Sequence, residues 1–311
     1  MKYSPILDQV NILPLAGKVS DCPELVVQSA ENSFRQKIID ICDTVTQEQK
    51  HMILVTGPSA SGKTTSANKI AEELRTRGKK VNSISLDNFY VDAQNLPKWK
   101  DGYQNYESIE GLDIRHFEET VSRLLKTGSA SLPVFDFSVS ARTKETIDMT
   151  FDEQTYLIIE GIHALNPIIS RIVDSYASAK IYISVHSEFT DDSGNTLLTA
   201  RDLRLIRRIL RDFTYRDTTA EETFRMWDYV LMGEDLYIRP FRRYADFHID
   251  STHAYEPYLY HKEILCALRE TNCSSPYCAT IQRLKASAER FFEMDRALIP
   301  STSLIREFMK P

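Results

Sequence analysis

The pattern of apolar positions changes near residue 51 of this 311-residue chain. Before that point, Phe34, Ile38, Ile41 and Val45 recur at helical spacing, which predicts an irregular lead-in followed by a helix. After it, short apolar runs alternate with longer amphipathic segments. The strand candidates are HMILVTG, KVNSISLD, TYLIIEG, AKIYISV and ADFHIDS. Because such continuous apolar runs are typical of strands buried on both faces, the pattern predicts an α/β fold around a parallel sheet.

The segments between these strands complete the predicted order of elements. Residues 64–77 and 113–126 carry helical patterns, and residues 132–149 alternate like an antiparallel hairpin. Residues 201–232 form a long, charged helical region, and the last 30 residues indicate a further helix with a short tail. We therefore expect an N-terminal extension with a helix (1–50), one α/β domain (51–260) and a C-terminal helical extension packed on that domain (261–311).

Composition narrows the classes of function. A net charge of −6 and a pI near 5.7 argue against a surface dedicated to nucleic acid. The amino-terminal segment lacks the apolar run of a signal peptide, and no run approaches the ~18 residues of a membrane-spanning helix. The five cysteines fit reduced thiols. We expect a cytoplasmic protein without nucleic-acid or membrane partners. The sequence leaves open whether the protein forms a homo-oligomer.

A phosphate-binding motif follows the first predicted strand. Residues 57–64 satisfy G-x-x-x-x-G-K-[ST], in which backbone N–H groups surround phosphates, Lys63 reaches the terminal phosphates and the Thr64 hydroxyl binds Mg²⁺. The predicted nucleotide contacts here are Gly57, Ser59, Ala60, Ser61, Gly62, Lys63, Thr64 and Thr65. The chain has no Asn-Lys-x-Asp segment for guanine and no LSGGQ segment, which disfavours GTPases and ABC-type ATPases.

Two acidic residues follow predicted strands at the same edge of the sheet. Asp87 ends the second strand, and Glu160 ends TYLIIEG. Ligands of open α/β sheets bind outside the carboxyl ends of the strands. A carboxylate at Asp87 suits proton abstraction from an alcohol, whereas Glu160 suits Mg²⁺ coordination together with Thr64. For Asp87 the alternative is a turn or capping residue, and for Glu160 it is a structural ion pair.

These segments resemble the uridine kinase and phosphoribulokinase family of P-loop kinases. The resemblance runs in family order from about residue 52 to 250, through GPSASGKTT, SLDNFY, LPVFDFSVSAR, IIEGIHALNP, RDLRLIRRILRDFTYR and YADFHID. It implies a doubly wound parallel sheet of five strands, a β-hairpin near the acceptor and a helical lid over ATP, with Mg²⁺ as the metal. It also implies that Asp87 is the base toward an acceptor 5′-hydroxyl, in a nucleoside salvage reaction.

The lid segment contains several arginines. Helical spacing places Arg204, Arg208 and Arg211 on one side, where guanidinium groups suit phosphate oxygens. Arg208 and Arg211 match family arginines at the phosphates and the acceptor, which implies a catalytic role for Arg208 and a nucleotide contact for Arg211. A solvated basic face is the expectation for Arg201 and Arg207, and Arg216 closes the segment.

The acceptor pocket is where this sequence departs from the family pattern. By resemblance, Tyr106 packs the base and Glu107 holds the ribose hydroxyls. The implied substrate residues are Asp87, Tyr106, Glu107, Phe135, Phe137, Ser140, Arg142 and Arg208. However, Phe135 replaces a Tyr and Ser140 replaces a His that contact the pyrimidine in uridine-cytidine kinases. Thr218 and Met226 likewise stand where those kinases have Arg and Gln.

The expected activity is therefore ATP-dependent transfer of the γ-phosphoryl group to a small-molecule acceptor, a nucleoside similar to uridine or cytidine. An acceptor site without the pyrimidine contacts leaves a second reading open, in which the alcohol is another sugar, a sugar phosphate or a pantothenate-like compound. A third reading is an ATP-binding regulatory protein without transfer activity. The joint presence of Asp87, Glu160 and the lid arginines favours the enzyme.

Overall fold

The computed structural model describes residues 6–137, 139–215, 218–269 and 276–309, so Arg216 of the lid segment lies outside the described residues. In chain order, the strands are β1 (Asp8–Asn11), β2 (Met52–Thr56), β3 (Lys80–Ser85), β4 (Ser129–Asp136), β5 (Ala141–Thr150), β6 (Thr155–Glu160), β7 (Ser178–Ser184), β8 (Ser187–Thr190), β9 (Thr196–Leu198) and β10 (Phe247–Asp250). The helices are α1 (Ile12–Asp21), α2 (Pro23–Gln47), α3 (Lys63–Thr76), α4 (Ile114–Thr127), α5 (Pro167–Ser170), α6 (Ala200–Tyr215), α7 (Ala220–Gly233), α8 (Glu256–Ala267) and α9 (Cys278–Ala288).

A five-stranded sheet forms the centre of the molecule, in the order β10-β7-β2-β6-β3. All four pairings in it are parallel, and every residue of β2 and β6 is buried. Each of the five predicted strand segments supplies one of these strands. The α/β fold with a parallel sheet is therefore confirmed, and β4 and β5 form the expected antiparallel hairpin.

Two regions differ from the sequence-based expectation. The lead-in is ordered, because β1 pairs with β8 in a small separate sheet and α1 follows it directly. Three of the four β1 side chains are exposed, so backbone pairing rather than an apolar pattern holds this strand. The charged region predicted as one helical stretch contains two helices, and Thr219 begins α7 through a capping box with Glu222.

The central sheet separates two apolar clusters, because successive strand residues point to opposite faces. Ile53 and Val55 of β2 belong to the cluster that also contains Phe34 of α2 and Phe308 near the carboxyl end. Met52 and Leu54 belong to the other cluster. Residues on both sides of the 51–260 segment thus share a core with its sheet. In the part of the chain that the structure describes, no helix is long and apolar enough to cross a membrane.

Arg207 of α6 is fully buried, which corrects the expectation of a solvated basic face. Its Nε donates to Glu256 Oε2 at 2.8 Å and its Nη2 donates to Glu256 Oε1 at 2.6 Å. The Ser251 hydroxyl and carbonyl accept two further hydrogen bonds, and the guanidinium lies 4.9 Å from the centre of the Phe308 ring. Arg201, in contrast, forms an exposed pair with Asp235 at 2.9 Å.

Replacing Arg207 with Met should destabilise the fold by about 3–5 kcal/mol, because the Glu256 carboxylate would stay buried without its cation. Arg201→Met is the matched control on the same helix, and its exposed pair should contribute no more than about 1 kcal/mol. Urea-denaturation midpoints of both variants and of the parent measure the difference. Equal stabilities of the two variants would contradict the inferred weight of the Arg207–Glu256 pair.

Candidate active site

The phosphate-binding loop occupies residues 57–62, between β2 and α3. Gly62 has φ +80° and directly precedes α3, so Lys63, Thr64 and Thr65 form the first turn of that helix. Glycine suits this left-handed conformation, and the unpaired N–H groups at such a helix start favour anions. Ala60 also lies in the left-handed region, with φ +58°. This geometry is what a nucleotide phosphate site needs.

Three arginines of α6 reach the phosphate-binding loop. Arg204 Nε donates to the Ser59 carbonyl at 2.9 Å, and Arg208 Nη1 donates to the Ser59 hydroxyl at 2.8 Å. Arg207 Nη1 donates to the Ala60 carbonyl at 3.4 Å. Arg204 is itself buried and paired with Glu234 at 2.6 Å. Helix α6 therefore fixes the shape of the loop, and Arg208, only partly buried, keeps its guanidinium beside it.

The predicted metal-binding side chains meet at the carboxyl ends of the strands. The Thr64 hydroxyl lies 3.2 Å from Glu160 Oε2, and Ser85 donates to Glu160 Oε1 at 2.7 Å. Burial raises the pKa of Glu160; nearby Lys63 lowers that pKa and nearby Asp87 raises it further. The structure thus brings Lys63, Thr64, Asp87 and Glu160 together. The sequence analysis did not assign Ser85 to the site, although it is the first residue of the SLDNFY motif.

This donor set fits Mg²⁺. A hydroxyl and a carboxylate oxygen are hard ligands, and Mg²⁺ in kinases typically takes one or two such protein ligands together with phosphates and water. Among the described residues no cluster of three or more His, Cys, Asp or Glu side chains suits a metal cage. Thr64 and Glu160 would therefore hold the ion jointly with a nucleotide.

Aromatic rings line the neighbouring side of the site, where the sequence predicts the acceptor. Tyr90 packs against both Phe135, at 6.0 Å between ring centres, and Phe137, at 5.9 Å. Its hydroxyl donates to the Tyr106 carbonyl at 2.7 Å. Phe135 is buried, whereas 51% of Phe137 is exposed. Phe137 and Tyr106 can thus present ring surface to a ligand, and Phe135 chiefly supports them. Tyr90 is a further member that sequence reasoning missed, although it ends the SLDNFY motif.

Ser140 and Arg142 are engaged by their own surroundings. Ser140 has φ +49° in the hairpin turn, and its hydroxyl lies 3.4 Å from the Phe137 carbonyl. Arg142 Nη2 pairs with Asp113 Oδ2 at 3.0 Å and approaches the Phe89 carbonyl at 3.4 Å. Arg142 therefore ties the hairpin to the start of α4, and its predicted substrate contact would require that pair to loosen.

Glu107 directly follows Tyr106 in the chain and lies against the end of α7. A Cβ added to Gly233, at the end of α7, would come within 2.1 Å of Glu107 Cβ, so only glycine allows this approach. Burial raises the pKa of Glu107 from its usual 4.5 to about 7, against the opposing effect of Arg208, Lys63 and Arg204. Among the described residues Glu107 Oε2 is buried without a hydrogen-bond partner. An acceptor hydroxyl could supply that partner.

Thr65 and Arg211 both contact the carboxyl-terminal segment. The Thr65 hydroxyl donates to Glu307 Oε2 at 2.6 Å, and Arg211 Nη1 donates to Glu307 Oε1 at 3.2 Å. Nothing in the sequence pattern connects residue 307 with the phosphate-binding motif. Thr218 directly precedes the N-cap of α7, and its N–H donates to the Asp212 carbonyl, whereas Met226 lies in the middle of that helix.

A phosphate loop, a strand-end carboxylate beside its threonine and a lid of arginines define a P-loop kinase. The sequence model of the Phosphoribulokinase / Uridine kinase family matches residues 52–256, and the chain belongs to this family. It is therefore a phosphotransferase that acts on an alcohol acceptor.

Individual relatives agree with this assignment. The chain is 28% identical to a uridine kinase of Ureaplasma parvum over 196 residues, which cover 63% of this chain and 85% of the relative. It is 30% identical to a uridine kinase of Lactobacillus helveticus over 201 residues, 64% of this chain and 85% of the relative. A solved structure from a Silicibacter species, a kinase ascribed to a fructose transport system, superposes with a TM-score of 0.52 at 16% identity, covering 68% of this chain and 98% of that one. This last likeness shows the fold alone.

A pH series should reveal the buried Glu107 carboxyl. Because its pKa rises from 4.5 to about 7 on folding, the folded state binds this proton more tightly than the unfolded state. The free energy of unfolding of the parent, minus that of Glu107→Gln, should fall as pH rises from about 4.5 to 7 and stay level above 7. Denaturation at pH 4.5, 5.5, 6.5 and 7.5 measures it. A difference that is constant across this range would refute the burial of an ionisable group here.

Gly233→Ala should disturb the same carboxylate from the other side, because the new methyl group would displace Glu107. Acceptor KM should rise at least about tenfold while ATP KM changes less than about twofold. Gly17→Ala is the control, because nothing lies within 4 Å of a Cβ at that helical glycine. Equal effects of Gly233→Ala on both KM values would argue against a local role at the acceptor.

Proposed function

We propose that this kinase transfers the γ-phosphoryl group of ATP, bound with Mg²⁺, to the 5′-hydroxyl of a nucleoside similar to uridine or cytidine. The observation that carries the proposal is the meeting of Lys63, Thr64, Asp87 and Glu160 at the carboxyl ends of β2, β3 and β6. Arg208 and Glu107 lie close to this group. A carboxylate for the acceptor and cations for the phosphates are the parts that phosphoryl transfer needs.

In this reaction Asp87 accepts the proton of the acceptor hydroxyl as its oxygen bonds to the γ-phosphorus. The bond between that phosphorus and the bridging oxygen breaks, and ADP leaves. Lys63 and Arg208 stabilise the charge on the transferring group, and Arg211 and the loop from Gly57 to Thr65 bind the nucleotide. Thr64 and Glu160 would hold Mg²⁺, which would neutralise phosphate charge.

Glu107 and the aromatic residues supply acceptor binding. Glu107 would accept hydrogen bonds from neighbouring sugar hydroxyls, and Tyr106 and Phe137 would pack against a ring. A buried carboxylate oxygen without a hydrogen-bond partner costs free energy, and two sugar hydroxyls could donate the missing hydrogen bonds. The pocket therefore favours a sugar over a simple apolar alcohol. Ser140 and Arg142 lie at the hairpin end of this surface. Their contact with the base, the cytoplasmic location and the absence of nucleic-acid and membrane partners stay predictions from the sequence.

A second candidate keeps the chemistry and changes the acceptor to another sugar, a sugar phosphate or a pantothenate-like alcohol. It is favoured by Phe135 and Ser140, which offer no counterpart to the family's tyrosine and histidine, and by the pairing of Arg142 with Asp113. A regulatory ATP-binding protein is a third candidate, but it gives no reason to keep Asp87 beside Glu160. An acceptor panel of nucleosides, sugars and pantothenate, with ADP release and product mass as readouts, separates the three.

Asp87→Asn should fold and bind ATP with near-parental affinity, yet lose phosphoryl transfer by at least about a thousandfold, because the amide cannot accept the proton. Asp192→Asn, in the exposed turn between β8 and β9, is the matched control and should keep full turnover. Transfer rates and nucleotide binding are measured on the same samples. Turnover of Asp87→Asn within tenfold of the parent would sink the assignment of the base.

A further inference from the structure

The carboxyl-terminal segment, defined here as residues 302–309, lies against the phosphate-binding loop and α6. It contains a 3₁₀ turn from Leu304 to Phe308, and its apolar side chains are almost fully buried: Leu304, Ile305, Phe308 and Met309. The segment lies outside the part of the chain that the family model matches. These side chains nonetheless belong to the same apolar cluster as one face of the central sheet, so the segment is part of the core.

Two contacts place this segment directly at the start of α3. A Cβ added to Gly62 would come within 2.7 Å of Leu304 Cδ1, so the leucine side chain lies against the loop's last glycine. Further along α3, Lys69 Nζ donates to the Thr302 carbonyl at 2.5 Å. The segment therefore forms one wall beside the loop that binds the nucleotide phosphates.

Glu307 extends from this wall onto two groups that the proposed function assigns to the nucleotide. Its carboxylate accepts hydrogen bonds from the Thr65 hydroxyl at 2.6 Å and from Arg211 Nη1 at 3.2 Å. A hydroxyl on the first turn of a helix, together with a guanidinium, is a suitable environment for a phosphate oxygen. In this structure a carboxylate oxygen of the chain itself takes that environment.

A nucleotide phosphate and this carboxylate are both anions, so they repel each other when they share Thr65 and Arg211. Withdrawal of the whole segment would cost free energy, because it would expose four buried apolar side chains. The Glu307 side chain alone can turn away. We propose that Glu307 is a built-in competitor for the phosphates of the donor nucleotide, through which the carboxyl-terminal segment sets the affinity for ATP. This proposal rests on the assignment of Thr65 and Arg211 to the nucleotide.

The test compares nucleotide binding by the parent and by Glu307→Gln and Glu307→Ala, measured by calorimetry without any acceptor. Both variants should bind ATP and ADP at least about fivefold more tightly, because the competing charge is gone. Their affinity for adenosine, which carries no phosphate, should stay within twofold of the parent. Glu293→Gln is the matched control, because that exposed carboxylate pairs with Lys262 and should leave ATP affinity unchanged.

Unchanged or weaker ATP binding in Glu307→Gln would overturn the proposal, as would an equal gain for adenosine, which would indicate a general change in the site. Glu307→Gln keeps the size of the side chain and an oxygen acceptor for Thr65, so it separates charge from packing if Glu307→Ala folds poorly. Absence of ATP binding in the parent and all variants would also count against it. The result is independent of acceptor identity: a parent that binds ATP but phosphorylates nothing would refute the proposed transfer and leave this test readable.

Discussion

The contact between α6 and the backbone of the phosphate-binding loop is the constraint on which the rest of the site depends. Arg204 and Arg207 are buried cations that need acceptors, and they find part of them in the carbonyl groups of Ser59 and Ala60. Because these arginines bind the loop's carbonyl groups, the backbone N–H groups of the loop can face an anion. The family's lid helix is therefore also a structural support in this chain, and Glu234 and Glu256 balance its charge.

The acceptor side depends on the same helical unit through a different kind of contact. Gly233 ends α7 against Glu107, where steric fit rather than charge fixes the carboxylate. The phosphate-binding loop and Glu107 are thus both held by the helices that follow β9. A displacement of α7 would therefore move Glu107 directly.

Local sequence signals predicted the central sheet, the hairpin and the phosphate-binding loop, because each depends on short-range patterns. They failed for β1, which has mostly exposed side chains and is held by pairing with β8, far away in sequence. The predicted solvent exposure of Arg207 was wrong, because helical spacing does not reveal that a buried Glu256 on another helix pairs with it. Ser85 and Tyr90 are the first and last residues of the SLDNFY motif, so a local signal for both was present. Glu307 could not be found, because no local pattern specifies its partner.

The position of Leu304 and Glu307 has a consequence for the biosynthesis of the protein. Thr65 and Glu307 are separated by 242 positions in the chain and yet share a hydrogen bond. During translation the phosphate-binding loop leaves the ribosome long before the segment that lies against it. A nucleotide that binds before residue 309 has emerged therefore meets Thr65 and Arg211 without their contacts to Glu307.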